Sequence, residues 1–540
     1  IAKEVLAWRN PEEIISAMLK KFYKDEFNVE SYRDFSVRER SRDDRGERSE
    51  RWERRESRDD WMVRLFVAKG KEQGFTNPGN LLSFIAKECD LWDLGAWKVD
   101  ILSNFLDGYT KEEVTTFVSE AYGDNFETKD IVPVKTCDKV NFLELFRGPT
   151  LAFKDMALQI LPKFMVAAAR KEGITDEIVV LTATSGDTGK AALEGFANKE
   201  GIKIVVFFPT DGVSEVQRMQ MVTQAGANTH VVAIKGNFDD AQTGVKEIFN
   251  DKEFNNLLKS NGKVFSSANS INIGRLVPQI VYYFHGYFDL VKKGQIKLGD
   301  KINVVVPTGN FGNILASYYG HKMGLPVNKF ICASNVNNVL TDFLNTGIYD
   351  INRKFETTIS PSMDILISSN LERFLESLSN KNDSLINDLM ASLKTTGKYE
   401  LPTELKAKLS SFFGGYTTDS ETESTIKRVY DKYNYVIDTH TAVAYKVYED
   451  YVTKTGDSAT PTLLAATASP FKFTRAVAES IIGSKQDDLN DFQLVDKLSE
   501  ITGLEIPQGV YKLNEKEILH DTVIEVSDMK KTISNFLNLK

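Results

Sequence analysis

The residues best suited to covalent chemistry in this 540-residue chain lie in one run, Phe146 to Asp155, with the sequence F-R-G-P-T-L-A-F-K-D. Its lysine, Lys154, stands among small and apolar residues. A lysine that is withdrawn from water has a lowered pKa, and its amine can then form a Schiff base or transfer a proton. The alternative is a solvated charge at a helix end, because lysines are mostly exposed. The run alone leaves both interpretations open.

A hydroxyl-rich loop at residues 182–189 could bind an anion. Its sequence, T-A-T-S-G-D-T-G, follows an apolar run and precedes a helix that the pattern places from about Lys190. Free N–H groups at a helix N-terminus attract carboxylates and phosphates. A simple helix cap is the alternative, but a cap needs only one Ser, Thr or Asp. Four of these eight residues are Ser or Thr, and this surplus favours a ligand site.

Three further segments contain residue types that suit a charged ligand. Residues 307–313, P-T-G-N-F-G-N, have two glycines that allow positive φ and a close approach of backbone N–H groups to a phosphate. Their spacing fits neither the P-loop nor the dinucleotide-binding pattern, so a plain turn is the alternative. Residues 266–275 end in Arg275, which could bind phosphate or carboxylate or be an ordinary surface arginine. Residues 465–472 place small hydroxyl residues after an apolar run.

Hydrophobic patterning predicts the elements that must position these segments. Apolar, β-branched runs predict six strands: Ile178–Thr182, Ile204–Phe208, His230–Ile234, Ile302–Val306, Phe330–Ala333 and Leu463–Ala466. Helical periodicity fills most intervals between them, which predicts an open α/β fold with helices on both faces of a parallel sheet. Such sheets bind ligands beyond the carboxyl ends of their strands, where the candidate loops lie. Upstream, residues 79–122 have the apolar spacing of helices.

Composition and charge exclude several classes of protein. Apolar residues make up 42% of the chain and charged residues 26%, as in ordinary globular proteins. No apolar stretch approaches the ~18 residues of a transmembrane helix, and no secretory signal is recognisable at Ile1, although the missing initial Met leaves a preceding segment open. The net charge of −9 argues against a nucleic-acid partner. Cys89, Cys137 and Cys332 are too few for a disulfide framework, which indicates a reducing compartment.

One stretch near the N-terminus differs from the rest of the chain. From Arg38 to Asp60, eighteen of twenty-three residues are charged, nine of them arginine and nine acidic. Alternating charges with few apolar residues predict a solvated helix or a linker without a chemical role. The abrupt change in arginine usage also leaves open whether this is the authentic local sequence.

Five strings occur in a fixed order over about residues 95–480: L-E-L-F-x-G-P-T-x-A-F-K-D, T-A-T-S-G-D-T-G, N-S-x-N-x-G-R, P-T-G-N-F-G-N and A-T-A-S-P-F-K-F. Together they closely resemble the threonine synthases, which are pyridoxal 5′-phosphate (PLP) enzymes of fold type II. The resemblance implies two open, mostly parallel, doubly wound α/β sheets with a cleft between them and a mainly helical N-terminal region. The implied division is a charged segment at 1–60, a helical domain at 61–140, a first α/β lobe at 141–280 with the lysine and the substrate loops, and a second α/β lobe at 281–540 with the phosphate loop.

The resemblance also implies roles for individual residues. Lys154 would bind PLP covalently through its amine and afterwards transfer protons, as the catalytic residue. The other cofactor-binding residues would be Asp187 near the 3′-oxygen, Gly309, Asn310, Phe311, Gly312 and Asn313 at the phosphate, and Thr467 at the pyridine nitrogen. The substrate-binding residues would be Thr184 and Ser185 at the carboxylate, and Thr188, Asn269, Ser270, Arg275 and Asn310 at the phosphate. No metal ion is expected.

The chain departs from the family pattern at two places. Family members commonly have His where this chain has Arg147, so the electrostatics differ if that position touches the cofactor. The usual opening, a Tyr-x-Ser-Thr-Arg start followed by a glycine-rich segment, is missing, and Leu65-Phe66-Val67 is its only trace. Any contribution of the N-terminal domain to the site is therefore open.

The implied reaction is the conversion of O-phospho-L-homoserine and water to L-threonine and phosphate, the last step of threonine biosynthesis, by a carbon–oxygen lyase acting on phosphates. Two alternatives stay open: a PLP-dependent phospholyase or dehydratase that releases 2-oxobutyrate, and a PLP-fold protein without catalytic activity. We expect a small-molecule substrate, no nucleic-acid or membrane partner, and a cytoplasmic location.

Overall fold

The computed structural model describes residues 94–106, 108–210 and 212–539. The charged segment 1–60, the remnant at residues 65–67, the helical prediction for residues 79–93 and Cys89 lie outside the described residues. Within them, the strands are β1 Val134–Cys137, β2 Val140–Glu144, β3 Glu177–Ala183, β4 Ile202–Pro209, β5 Thr229–Lys235, β6 Lys263–Ser267, β7 Ile302–Pro307, β8 Val327–Ser334, β9 Ile348–Asp350, β10 Lys398–Glu400, β11 Phe412–Tyr416, β12 Thr462–Ala466 and β13 Val523–Glu525.

The α-helices of the described residues alternate with most of these strands. They are α1 Leu94–Ser103, α2 Lys111–Ala121, α3 Asp155–Leu158, α4 Leu161–Lys171, α5 Asp187–Phe196, α6 Glu215–Val222, α7 Phe238–Asn250, α8 Lys252–Ser260, α9 Ile273–Lys292, α10 Gly312–Lys322, α11 Val339–Thr346, α12 Leu371–Leu378, α13 Asp383–Thr396, α14 Thr403–Lys408, α15 Asp419–Tyr433, α16 Thr439–Thr455, α17 Thr474–Ile482, α18 Asp491–Thr502 and α19 Met529–Leu537.

The first sheet has the strand order β13-β5-β4-β3-β6 and is parallel throughout. Alternate residues of its central strands pack against helices on opposite faces. Val180 and Val206 belong to a core that includes residues of α5, whereas Val179 and Val205 belong to a second core with α7 and α19. Because both faces are covered, the strands are apolar along nearly their whole length.

The second sheet has the order β1-β2-β12-β7-β8-β11 and is parallel except for the β1–β2 hairpin. The long helix α9 is buried over most of its residues and contributes three fully buried tyrosines, Tyr282, Tyr283 and Tyr287, to the largest core. The same core includes residues of α1 and α2, so these helices are attached to the second sheet. A small antiparallel pair, β9 with β10, completes the strands.

The predicted open α/β class with two mostly parallel sheets is confirmed, and each of the six predicted strands lies within an observed one. Strands β1, β2, β6, β9, β10, β11 and β13 were not predicted, because their sequences are short or interrupted by polar residues or glycine, as in V-N-F-L-E and F-F-G-G-Y. Helix α5 begins at Asp187, three residues before Lys190, whose N–H donates to Gly186 O at 3.1 Å.

The sheets cross the predicted lobe boundaries at both ends. Strands β1 and β2 precede the first sheet along the chain but belong to the second, while β13, near the C-terminus, belongs to the first. The division at about residue 280 therefore stays a prediction that separates most, though not all, of the strands of the two sheets.

Within the described residues, no helix is long and apolar enough to cross a membrane. Cys137 and Cys332 are both free and buried. Burial raises the pKa of Cys332 to about 12, so this thiol is unreactive at neutral pH.

Candidate active site

The predicted loops of both sheets meet at the carboxyl ends of their strands. There, β3 leads into residues 184–189, β6 into 268–275, β7 into 308–313 and β12 into 467–469. One cavity is lined by most of the predicted site residues: Lys154, Thr184, Ser185, Thr188, Asn269, Ser270, Arg275, Gly309, Asn310, Phe311, Gly312, Asn313 and Thr467. Asp187, the remaining one, contacts the lysine from behind the cavity wall.

The segment before Lys154 is fixed to the end of β12. Phe153 N–H donates to Thr467 O at 2.9 Å, and Ala152 forms an antiparallel bridge with Ala468. Lys154 itself is the last residue before helix α3, and only 7% of it is exposed. The backbone pairing thus places the lysine and the predicted pyridine contact, Thr467, side by side on one wall.

The amine of Lys154 has few polar neighbours. Its Nζ lies 3.3 Å from Asp187 Oδ2 and 3.4 Å from Ser362 Oγ. Burial lowers the pKa of Lys154 to about 8; the Asp187 carboxylate opposes this change, and the positive charges of Arg275 and Lys472 reinforce it. Roughly a tenth of this lysine is consequently a free, nucleophilic amine at pH 7, far more than for an exposed lysine.

Asp187 binds a lysine on each side. It is the first residue of α5, after Gly186, whose φ of 122° lies in the left-handed region that favours glycine. Its Oδ1 accepts from Lys472 Nζ at 2.7 Å and from Gln217 Nε2 at 2.8 Å, while Oδ2 faces Lys154. Burial by itself would raise the pKa of Asp187, but the ammonium groups of Lys154 and Lys472 outweigh burial and hold that pKa well below its usual range. The carboxylate is therefore ionised.

The predicted phosphate loop is built differently from the expectation. Neither Gly309 nor Gly312 has positive φ; the left-handed residue is Phe311, with φ 60°. Glycine is needed at position 309 for space, since a Cβ there would lie 2.6 Å from the carbonyl oxygen of Ser362. This close contact is with the Ser362 backbone, so the approach of backbone N–H groups to a phosphate stays a prediction. The expectation of positive φ at the glycines is wrong, because Phe311 makes the turn into α10.

Asn313 presents an unpaired amide group beneath this loop. Its Oδ1 accepts hydrogen bonds from the hydroxyls of Tyr282, at 2.7 Å, and Tyr283. Its Nδ2 is buried and has no hydrogen-bond partner among the described residues. Two donors on the oxygen orient the amide, which leaves an N–H donor for an anion in the cavity.

Arg275 is a buried cation without an acidic partner among the described residues. One NH group donates to Ala268 O at 2.9 Å, while Nε is buried and unpaired. Only 3% of the residue is exposed, and burial lowers the pKa of Arg275 to about 10. A buried guanidinium without a carboxylate is costly, so the site is electrostatically prepared for an anionic ligand.

Two predicted substrate residues already make structural hydrogen bonds. Thr184 Oγ1 accepts from the N–H groups of Gly186, at 2.9 Å, and Gly189, at 2.8 Å. Asn269 Nδ2 donates to Ala183 O at 3.1 Å. Thr184 can therefore offer a ligand only its O–H, and Asn269 mainly its amide oxygen.

The other predicted substrate residues lie around the rim. Ser270 Oγ and Ser369 Oγ are 3.0 Å apart, and Asn310 Oδ1 accepts from Ser369 Oγ at 3.1 Å. Ser185 and Thr188 line the same cavity and are half-buried. The hydroxyl and amide groups expected to bind anions are thus brought together, while their roles stay predictions.

Four residues for which the sequence predicted no role complete the site: Gln217, Ser362, His440 and Lys472. His440 lines the cavity; its Nδ1 lies 2.8 Å from Asp438 Oδ2, and its Nε2 accepts from Ser362 N–H at 3.2 Å. Lys472 was visible in the string A-T-A-S-P-F-K-F, where a lysine among apolar residues was the available signal. Nothing local marks the other three.

Arg147, the departure from the family pattern, does not line the cavity. Its guanidinium donates to Glu144 Oε2 at 2.7 and 2.9 Å and to Glu127 Oε2 at 3.1 Å. About a third of its side chain is exposed. The arginine at this position thus forms ion pairs near the segment that precedes Lys154 and does not alter the lining of the cavity.

Comparison with known proteins gives consistent matches along the described chain. Residues 137–463 match the family described as pyridoxal-phosphate dependent enzyme, and residues 441–523 match the family described as threonine synthase, C-terminal. Threonine synthase from Saccharomyces cerevisiae is 35% identical over 446 residues, covering 79% of this chain and 83% of the yeast protein.

Two further matches differ in coverage. Human threonine synthase-like 1 is 42% identical over 386 residues, or 70% of this chain, but this chain spans only 51% of the human protein. The crystal structure of PLP-bound threonine synthase from Brucella melitensis superposes with a TM-score of 0.71 at 33% identity, covering 83% of this chain and 88% of the other. The fold is therefore shared over most of the chain.

Proposed function

The chain belongs to the threonine synthase family of PLP-dependent enzymes, and from this premise we propose that it converts O-phospho-L-homoserine and water to L-threonine and phosphate. The observation that supports this most is the cavity itself. It combines a buried lysine amine, a glycine loop with an unpaired amide donor, and a buried arginine without an acidic partner among the described residues. These groups match a carbonyl cofactor with one phosphate and a substrate with another.

The residues present fit PLP. Lys154 would bind the cofactor covalently, residues 309–313 with the free Nδ2 of Asn313 would bind its phosphate, and Thr467 would contact the pyridine nitrogen. Asp187 would lie on the side of the 3′-oxygen, since its Oδ2 is 3.3 Å from the lysine amine. Gly309 would allow this loop to pack against the backbone of Ser362, where a Cβ would lie 2.6 Å from the carbonyl oxygen.

The charges of the cavity also suit an anionic substrate. Lys154, Lys472 and Arg275 carry positive charge around the carboxylate of Asp187. We assign Arg275 and the rim hydroxyls to the γ-phosphate of the substrate and the O–H groups of Thr184 and Ser185 to its carboxylate. Donors at the phosphate would stabilise the charge that develops as it leaves.

When bound, PLP supplies an electron sink for the charge that remains when a proton leaves the substrate. We assign proton transfer at Cα and Cβ to Lys154, because burial lowers its pKa to about 8, which suits an amine that must both accept and return a proton near neutral pH. Ser362 Oγ, 3.4 Å from Nζ, helps to hold the amine in place. The buried wall formed by Phe311 and Met363 limits the access of bulk water.

We further propose that the division into two α/β lobes positions the two halves of this site, and that the protein acts in the cytoplasm on a small molecule without a nucleic-acid or membrane partner. The free, buried state of Cys137 and Cys332 supports a reducing compartment. Fractionation of the native protein would test the location.

Product analysis with phosphohomoserine tests the proposal. We expect threonine and phosphate in equal amounts, with one oxygen atom from labelled water in the threonine. Release of phosphate with 2-oxobutyrate instead would overturn the synthase assignment in favour of a phospholyase. PLP bound at Lys154 without any turnover would indicate the non-catalytic alternative, and the Lys154→Ala variant provides the baseline.

A further inference from the structure

We propose that Lys472 is a positioning residue that holds Asp187 from behind and thereby increases the fraction of the Lys154 amine that is free to react with the cofactor. The inference deepens the proposed function and rests on it for the identity of the cofactor. The family matches assign no role to this lysine, and it does not line the cavity.

Lys472 is held in one place by its surroundings. It is fully buried, at 0% exposure, in the short 3-10 helix Pro470–Phe473 after β12. Its Nζ donates to Thr150 O at 2.9 Å, and its carbonyl accepts from Ser214 Oγ at 2.8 Å. A buried ammonium is costly unless it is paired, and Asp187 is its ionic partner, at 2.7 Å.

The two oxygens of Asp187 are used unequally. Oδ1 is fully engaged by Lys472 and Gln217, at 2.7 and 2.8 Å, whereas Oδ2 has only longer contacts, 3.3 Å to Lys154 and 3.5 Å to Ser362. Lys472 and Gln217 thus make the shorter contacts with the carboxylate. Lys154 is left near an anion that orients it but does not fully compensate a proton on its amine.

Charged groups face Lys154 from each element packed around it. Asp187 on α5 favours the ammonium form, while Arg275 on α9 and Lys472 oppose it. His440, at the start of α16, acts on Asp187. Removing the charge of Lys472 would leave Asp187 to interact with Lys154 alone. It would also end the repulsion between the two ammonium groups. Both effects raise the pKa of Lys154.

The consequence is measurable on the protein without cofactor. With a pKa of about 8, roughly a tenth of Lys154 is free amine at pH 7, and each further unit lowers that fraction tenfold. Capture of PLP requires the free amine, so the capture rate should rise with pH and level off above about pH 8. If Lys472 had only a structural role, its substitution would alter the plateau rate or the stability of the protein, but not the pH at which the capture rate levels off.

The experiment mixes cofactor-free protein with PLP between pH 6 and 10.5 and follows absorbance in a stopped-flow instrument, with borohydride reduction and peptide mapping to confirm attachment at Lys154. In Lys472→Met and Lys472→Gln we expect the pH of levelling to rise by at least one unit. Capture at pH 7 should slow at least tenfold, while the plateau rate changes less than threefold. The Gln variant can still donate to Thr150 O, which protects folding.

Two matched variants give the controls. Lys446→Met removes a partly exposed lysine paired with Asp450 at 2.7 Å and should leave the pH profile unchanged. Asp187→Asn should move the levelling pH below that of the parent, because Lys154 loses the anion that favours its ammonium form. Adding Lys472→Met to Asp187→Asn should raise the levelling pH again, because it ends the repulsion by Lys472. This double variant leaves neither partner of the ion pair buried alone, which protects folding.

An unchanged levelling pH in folded Lys472 variants would overturn the inference, as would an upward shift in Asp187→Asn. The assay uses no phosphohomoserine, so a phospholyase result in the product analysis leaves it intact. Failure of the parent to capture PLP at Lys154 would instead overturn both the proposed function and this inference.

Discussion

The substitution Gly309→Ala tests whether the β7–α10 loop binds a phosphate through its backbone. The added Cβ would lie 2.6 Å from Ser362 O and 3.3 Å from the Cα of Met363, both of them backbone atoms. Reaching an ordinary contact of 3.4 Å requires the two loops to separate by about 0.8 Å. Such overpacking costs ~1–3 kcal/mol, and the loss of a charge-assisted hydrogen bond has a similar magnitude. We therefore expect the Kd for PLP to rise roughly 10- to 100-fold.

Titration of cofactor-free protein with PLP measures this change, and thermal unfolding reports on the fold. Gly320→Ala is the matched control, because Gly320 lies in α10 outside the cavity and its Cβ would make ordinary contacts of 3.5 Å with the side chains of Leu325 and Phe284. Its Kd should stay within about threefold of the parent. Pyridoxal, which has no phosphate, should bind Gly309→Ala and the parent alike. Equal losses of PLP and pyridoxal affinity, or no loss of either, would refute the assignment of this loop.

Three other predictions concern single residues. Lys154→Ala should fold normally but form threonine at less than about a hundredth of the parent rate, because it removes the one amine placed for covalent attachment; faster product formation would contradict the lysine assignment. Arg275→Leu should raise the KM for phosphohomoserine ~10- to 100-fold with little change in PLP affinity, whereas loss of PLP binding at an unchanged KM would place Arg275 in the cofactor site. Burial lowers the pKa of His285 to about 4, so the folded protein keeps this side chain neutral and loses stability as the pH falls from 6.5 through 4. Over this range the free energy of unfolding of the parent should decrease more than that of His285→Gln, by on the order of 2 kcal/mol.

Much of the site could be predicted from local sequence. The runs at β3, β7 and β12 are almost continuously apolar, because parallel strands that are covered by helices on both faces are buried along their length. This continuous apolar character is visible in the sequence. The candidate loops follow such strands, so their meeting at one edge of the sheets was predictable once the strands were recognised. The hydroxyls and glycines of these loops are chemical types that need no tertiary contact to be identified.

Turn geometry was less predictable. The glycines at 309 and 312 suggested positive φ, but the left-handed residue is Phe311, and Gly309 is needed because Ser362 comes within 2.6 Å of where its Cβ would be. That neighbour belongs to a distant loop, so no pattern within residues 307–313 indicates it. The same reason hid strands such as β13, three residues that become a strand only by pairing with β5.

The amino-acid types alone establish which reactive groups the chain offers: a lysine among small residues, hydroxyl-rich loops and an arginine after β6. The protonation and the ionic partners of these groups depend on long-range packing. Lys472 reaches Thr150 across 322 positions of the chain and shares Asp187 with Lys154. Whether a buried amine is charged depends on which charges lie within a few ångströms of it and on how much water is excluded. The neighbouring charges and the exclusion of water are both set by long-range packing, which local sequence patterns do not reveal.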